Sequence, residues 1–260
     1  NVTLDAQFNQ LNDLLLGTNE SKLEAAGIDG INLQVNTEAE LRNLLNNQAA
    51  LTEISQSNLN LNVDFGSGSF NVNQLSIDAQ DHINLQITSA DVHGQGTHLS
   101  TSLKDLQKLG VDAVAIAGDL DGNAATINSL TLDMGSEGAA GINFSGLPSF
   151  GDTNKDGTIS SAEDNALNVT LDAQFSDLAG LTLGNNETKL ASSGIDDISL
   201  SLTTEQQLVS LLQDGSANNL QIDQLQAAKL GVDIDFGSGQ VGIEALHLSV
   251  TDQITLDVTP

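Results

Sequence analysis

The octapeptide NVTLDAQF stands at residues 1–8 and recurs intact at residues 168–175, and each copy is followed by a related stretch. LGTNESKLEAAGIDGINLQV runs from Leu16, and LGNNETKLASSGIDDISLSL from Leu183. Internal repetition decides the architecture before any local reading does, because a repeating chain builds one structural unit several times over. A weaker third copy, INLQITSADVHGQGTHLSTSLKDLQKLGVDAVAI from Ile83 to Ile116, keeps the same order of apolar strand, polar stretch, short helix, G-[IV]-D and apolar strand. The period is about 80 to 86 residues. A second signature, VDFGSG from Val63 and IDFGSG from Ile234, closes the first and last copies. The units expected are residues 1–81, a divergent 82–150, a linker at 151–167, and 168–260. ITLDV at 254–258 reads as the first strand of a next unit, which makes the chain a window on a longer array.

Within a unit, alternation of period two in VTLDA, INLQV, LNLNV and ITLDV predicts strands with one apolar and one polar face, suited to a sheet covered on one side. TEAELRNLLNN from Thr37 and TTEQQLVSLLQDG from Thr203 open with threonine caps and carry leucines at helical spacing. Shorter helices are expected to end at Gly27, Gly110 and Gly194, where a left-handed residue closes the last turn. The fold class expected is α+β, in tandem units mixing amphipathic strands with short helices. GDLDGNAAT from Gly118 stands where the other units have their second helix.

With 35 acidic residues against 7 lysines and arginines, the formal net charge is -28. Nucleic acid is excluded as a partner, since phosphate binding needs a basic stripe, and anionic membrane surfaces fall by the same argument. Cations are the natural counterpart of carboxylates this dense. The core must come from Leu, Ile, Val and Ala, because the chain has seven Phe, one Met and no Trp or Tyr. With no cysteine, disulfides and thiolate chemistry are ruled out. No apolar run approaches the roughly 18 residues that span a bilayer, so no membrane insertion is expected.

From Asp152, the segment DTNKDGTISSAE fits D-x-[DN]-x-[DN]-G-x5-E at every defining position. Asp152, Asn154 and Asp156 supply side-chain oxygens, and Gly157 the sharp turn. Thr158 offers its backbone carbonyl, Ser160 acts directly or through water, and Glu163 binds with both oxygens. Hard oxygen donors in this number suit Ca2+ better than Mg2+; the plain alternative is a polar turn between units. The loop resembles the EF-hand and dockerin-type calcium loops of bacterial extracellular proteins. It is single, and NVTLDAQF begins only five residues after Glu163, so its expected role is to fix the orientation of two units rather than to drive helix opening. The acidic, cysteine-free, Asn/Thr/Gly/Asp-rich array also resembles the repeat regions of large bacterial adhesins and S-layer-like surface proteins.

Other groups carry less. Asp119 and Asp121 in GDLDGN offer a second cation position or a solvated turn; His93 and His98 a transition-metal pair or surface loop histidines. GSG at 66–68 and 237–239 lacks the lysine and spacing of a phosphate loop and reads as a hairpin turn. Asp196 beside Asp197, and Asp233 with Asp235, are pairs expected from acid abundance alone. The function expected is a noncatalytic, calcium-stabilised structural or adhesive segment at a bacterial cell surface, whose partners are calcium, neighbouring copies, or surface glycans and proteins. The alternative is a carbohydrate- or protein-binding module with its site in the divergent middle unit.

Overall fold

The computed structural model describes residues 2–15, 19–88, 90–93, 98–116, 127–151, 167–249 and 253–256. It is mixed α/β, with strands in several sheets. Strands β1 (Thr3–Gln7), β2 (Gly30–Gln34) and β3 (Asn60–Asp64) pair in parallel, and β4 (Ser69–Asn71) folds back antiparallel on β3. Parallel neighbours need crossovers, and helices supply them: α1 (Leu11–Leu14) and α2 (Asn19–Ala25) lead into β2, while α3 (Glu38–Asn46) and α4 (Gln48–Gln56) lead into β3. Thr37 caps α3 as expected, its hydroxyl accepting from the Glu40 N–H at 3.2 Å. Gly27 ends the turn after α2 with φ +84°.

Parallel sheets are ordinarily buried on both faces; this one is covered on one. Leu33, Leu61 and Val63 point into the core while Asn60 is exposed on the other face. Register sets Asp5, Asn32, Asn62 and Asn71 in one row across the open face. Asn32 Nδ2 donates to Asp5 Oδ1 at 3.3 Å, and the Gln7 amide donates to Gln34. Such cross-strand pairs satisfy polar side chains that the pleat turns away from the core.

The chain then enters a second sheet through β5 (Leu75–Ile77) and its antiparallel partner β6 (Ile83–Ile87). After the hairpin β7 (Val92–His93) and β8 (His98–Leu99) comes α5 (Leu103–Lys108), capped by Ser102. β9 (Val111–Ile116) pairs in parallel with β6, and β10 (Ser129–Asp133) lies in a third sheet beside β8. β11 (Ser149–Phe150) returns to β9. Residues 83–150 therefore contribute strands to two sheets, a partition that periodicity alone does not encode.

β12 (Asn168–Gln174) joins β10 in parallel. Helices α6 (Leu178–Thr182) and α7 (Asn186–Ser192) lead to β13 (Asp197–Ser201); α8 (Glu205–Leu212) and α9 (Ala217–Ala227) lead to β14 (Gly231–Asp235). β12, β13 and β14 are parallel, with β15 (Gln240–Gly242) antiparallel at the edge. β16 (Leu246–Leu248) and β17 (Ile254–Leu256) then pair antiparallel. The G-[IV]-D positions share one task. Asp29, Asp112 and Asp196 each accept, through Oδ2, the N–H of a residue within one position of the start of the parallel neighbour: Val2 at 2.6 Å, Ile83 at 2.7 Å and Val169 at 2.8 Å. A charged acceptor makes this among the stronger bonds available to a strand end. Among the described residues the buried apolar side chains other than Ala113 and Ala115 form one cluster, from Ala6 to Leu246.

Candidate functional site

The turn after β3, the start of α5, the end of β10 and the turn after β12 enclose an open cleft of about 640 Å³. Asp105, Asp133, Glu137, Asp172 and Asp177 line it together with Ser67, Ser102, Ser136 and Ser176. No aromatic ring lines it, so it offers polar and charged contacts rather than a stacking platform.

Several of these acids hold the backbone in place. Asp177 Oδ1 accepts from the Ala139 N–H at 2.9 Å and its Oδ2 from the Gln174 N–H at 3.0 Å. Asp105 Oδ2 accepts from the Ser102 hydroxyl at 2.9 Å and also from Ser67. Glu137 pairs with Lys104 at 2.6 Å. Asp133 and Asp172 stand differently. The tripeptide Thr-Leu-Asp occurs in β10 and in β12 in exact register, so Asp133 lies directly opposite Asp172 on the open face. His98, opposite Thr131 on the next strand, brings Nδ1 to 3.8 Å from Asp172 Oδ2. One ligand atom from each of His98, Asp133 and Asp172 lies within 4.8 Å of the others. One imidazole and two carboxylates are a donor set for a small borderline divalent ion such as Zn2+. It is not a calcium pattern, which takes about six to eight oxygens.

Burial is the main cause that pushes the Asp172 carboxyl above the usual carboxylate range, with Asp133 and Asp235 adding to it; Ser199 and His98 pull the other way. Asp233 is also raised, by burial first and then by Asp197 and Glu244. In the pH window between the ordinary and the raised value, the folded protein holds a proton that the unfolded chain has released. Stability therefore falls as pH rises through that window. Asp233→Asn is expected to raise Tm at pH 7 by roughly 1 to 3 °C, a gain that fades as pH falls toward about 3, where the carboxyl is largely protonated in both states. Calorimetry of both proteins across pH 3 to 8 measures it.

The calcium ligands expected from sequence, Asp152, Asn154, Asp156, Thr158, Ser160 and Glu163, lie outside the described residues, as do Asp119 and Asp121. His93 and His98 are direct partners across the β7–β8 hairpin. Both GSG segments are the hairpin turns expected, with positive φ at Gly66 and Gly237. Asp196 is a strand-start acceptor, and Asp197 accepts from Asn168 Nδ2 at 2.8 Å. Asp133, Asp172, Asp105 and Asp177 escaped sequence reading. For Asp133 and Asp172 the signal was the recurring TLD, which sets an aspartate on the open face of β1, β10 and β12. Among the described residues no helix is long and apolar enough to cross a membrane. Comparison with protein-family models, with curated proteins and with solved structures finds no match.

Proposed function

We propose that this chain is a noncatalytic, calcium-stabilised structural or adhesive segment of an extracellular bacterial protein, built of tandem units and joined at the 152–163 loop. The observation that carries the reading is where the flanks of that loop are held. Gly151 follows β11 and donates its N–H to the Val114 carbonyl at 3.0 Å, in the sheet of β6 and β9. On the far side Leu167 is buried and leads into β12, in the sheet of β10. A metal bound between two such anchors ties one sheet to the other. The repeated octapeptide adds support, since β1–β2–β3–β4 and β12–β13–β14–β15 follow one pairing order. So does the charge of -28, which bound cations offset.

The test is a thermal melt and a small-angle scattering profile with Ca2+ and with chelator, on the protein and on Asp156→Ala. At a hundredfold excess over Kd, a ligand of the folded state alone contributes about 2.7 kcal/mol, so Ca2+ is expected to raise Tm by about 5 to 11 °C. Asp156→Ala loses the rise and any change of shape. A melt and a profile indifferent to Ca2+ would sink the reading.

The cleft favours a second reading, a binding module in the divergent middle unit. Its wall at 137–138 belongs to the insert that begins at Glu137 in the middle unit, and its donors and acceptors suit a hydroxylated ligand or a cation. A glycan array probed with the whole protein discriminates the two.

A further inference from the structure

The same pentapeptide, DFGSG, forms the same turn twice in this molecule and finds two different surroundings. In both copies the turn closes on itself: the Phe65 N–H donates to the Gly68 carbonyl at 2.7 Å, and the Phe236 N–H to the Gly239 carbonyl at 3.0 Å. Asp64 Oδ1 accepts from the Gly66 N–H at 2.8 Å, and Asp235 Oδ1 from the Gly237 N–H at 2.7 Å. The first copy is occupied by the segment leading into α5. Ser67 Oγ accepts from the Ser102 N–H at 3.0 Å, lies 3.1 Å from Thr101 Oγ1, and donates to Asp105 Oδ2. A Cβ on Gly68 would stand 2.0 Å from the Ser100 carbonyl oxygen. Glycine is required there because another backbone lies against it, not because of its own φ.

Among the described residues the second copy has no such neighbour. A Cβ on Gly237 or Gly239 would meet nothing within 4 Å, and Gly239 has no left-handed φ to explain it. Phe236 is 48% exposed, where Phe65 is 0%. Part of that contrast is internal, since Phe65 packs edge-on against Phe70, whose place opposite β14 is taken by Val241. Nothing within the turn accounts for the open space beside Gly239.

We infer that the Phe236–Gln240 turn is a docking site for a partner segment of the chemistry of residues 98–110, a Ser/Thr-hydroxyl turn that caps a short helix bearing an acid three residues after the cap. The inference rests on the tandem-unit reading above and names what the last unit binds. Charge agrees with it: HLSTSLKDLQKLG, residues 98–110, carries two lysines and one aspartate in a chain of net charge -28. The turn is preformed, so docking orders no further backbone on its side. The stretch after β1 is built differently from the stretch after β12. Gly180 and Ala179, on α6 where 138–141 packs, are replaced at the corresponding places after β1 by Asp13 and Asn12.

The probe is a synthetic peptide of residues 98–110, titrated into the whole isotope-labelled protein and followed by amide NMR. Saturable shifts confined to Phe236–Gln240 and the adjoining strands are expected. Gly239→Val should weaken binding at least about tenfold while leaving Tm unchanged, because the added side chain meets nothing in the free protein; Gly68→Val should lower Tm. No localised shift up to the solubility of the peptide, or equal binding to Gly239→Val, would overturn the assignment. Dimerisation of the protein alone that Gly239→Val abolishes would give the turn to a second copy instead, and would also overturn it. Loss of peptide binding with the Ca2+ response intact removes the docking site and leaves the structural reading standing. Binding without a Ca2+ response does the reverse.

Discussion

Phe65→Ala is expected to cost about 3 to 5 kcal/mol, a fall in Tm of about 6 to 20 °C for a chain of this size. Phe236→Ala, at the same place in the second DFGSG, is expected to cost no more than about 1 kcal/mol. The two differ in what truncation leaves behind. Phe65 is fully enclosed, its ring centroid 5.1 Å from that of Phe70 at an interplanar angle of 64°. Removing it opens a cavity beneath the turn that receives Ser102 and Asp105, and the loss of shape is felt by α5 as well as by β3. Phe236 has about half its surface in water already, so its removal leaves no enclosed void and forfeits little transfer free energy. Parallel thermal melts of the two variants measure the difference. Equal losses would mean that Phe236 is held as tightly as Phe65, and the argument from its exposure would fall.

Local features of this fold were legible in sequence because they depend on a few neighbouring residues. Thr37 and Thr204 announce the starts of α3 and α8 through hydroxyl caps at N3, a contact three residues long. Gly27, Gly110 and Gly194 announce the ends of α2, α5 and α7 through a backbone sign that other residues resist. The period-two strands declared their faces for the same reason. What stayed hidden depends on pairing between distant strands. Nothing in VDAVAI distinguishes β9, which joins β6, from SLTLD, which as β10 crosses to β12; both alternate or run apolar. The partner of a strand is fixed by the turns and helices that deliver it, not by its own pattern. α9 hid for a different reason: ANNLQIDQLQA carries few apolar positions, and Ile222 and Leu225 are its buried residues. The cleft was hidden because its acids come from 105, 133, 137, 172 and 177 and meet only once the strands are in register. A scan for close carboxylate pairs finds Asp233 and Asp235 on one strand but not Asp133 and Asp172 on two.

The second large effect is expected at Gly180. A Cβ there would lie 2.6 Å from the Cβ of Ala139, and Ala139 cannot withdraw freely, because its N–H is bonded to Asp177 and its side chain is buried. Gly180→Asp therefore forces the 138–141 turn off α6 and presents a second carboxylate beside Asp177. Overpacking and an added acid facing an apolar neighbour together are expected to cost about 3 kcal/mol or more. The loss should be local before it is global. Amide exchange is expected to accelerate in β10 and around residues 138–142, while β14, packed against α9, keeps its protection. The reciprocal change supplies the control. Asp13 occupies the corresponding place after β1 and is exposed, so Asp13→Gly should cost only the roughly 1 kcal/mol of a glycine in a helix. Uniform loss of protection in Gly180→Asp would mean that the segment from β10 to β11 does not dock as a separable layer on α6. Selective loss would mean that a single glycine decides whether the surface after an NVTLDAQF strand receives a neighbouring segment or turns it away.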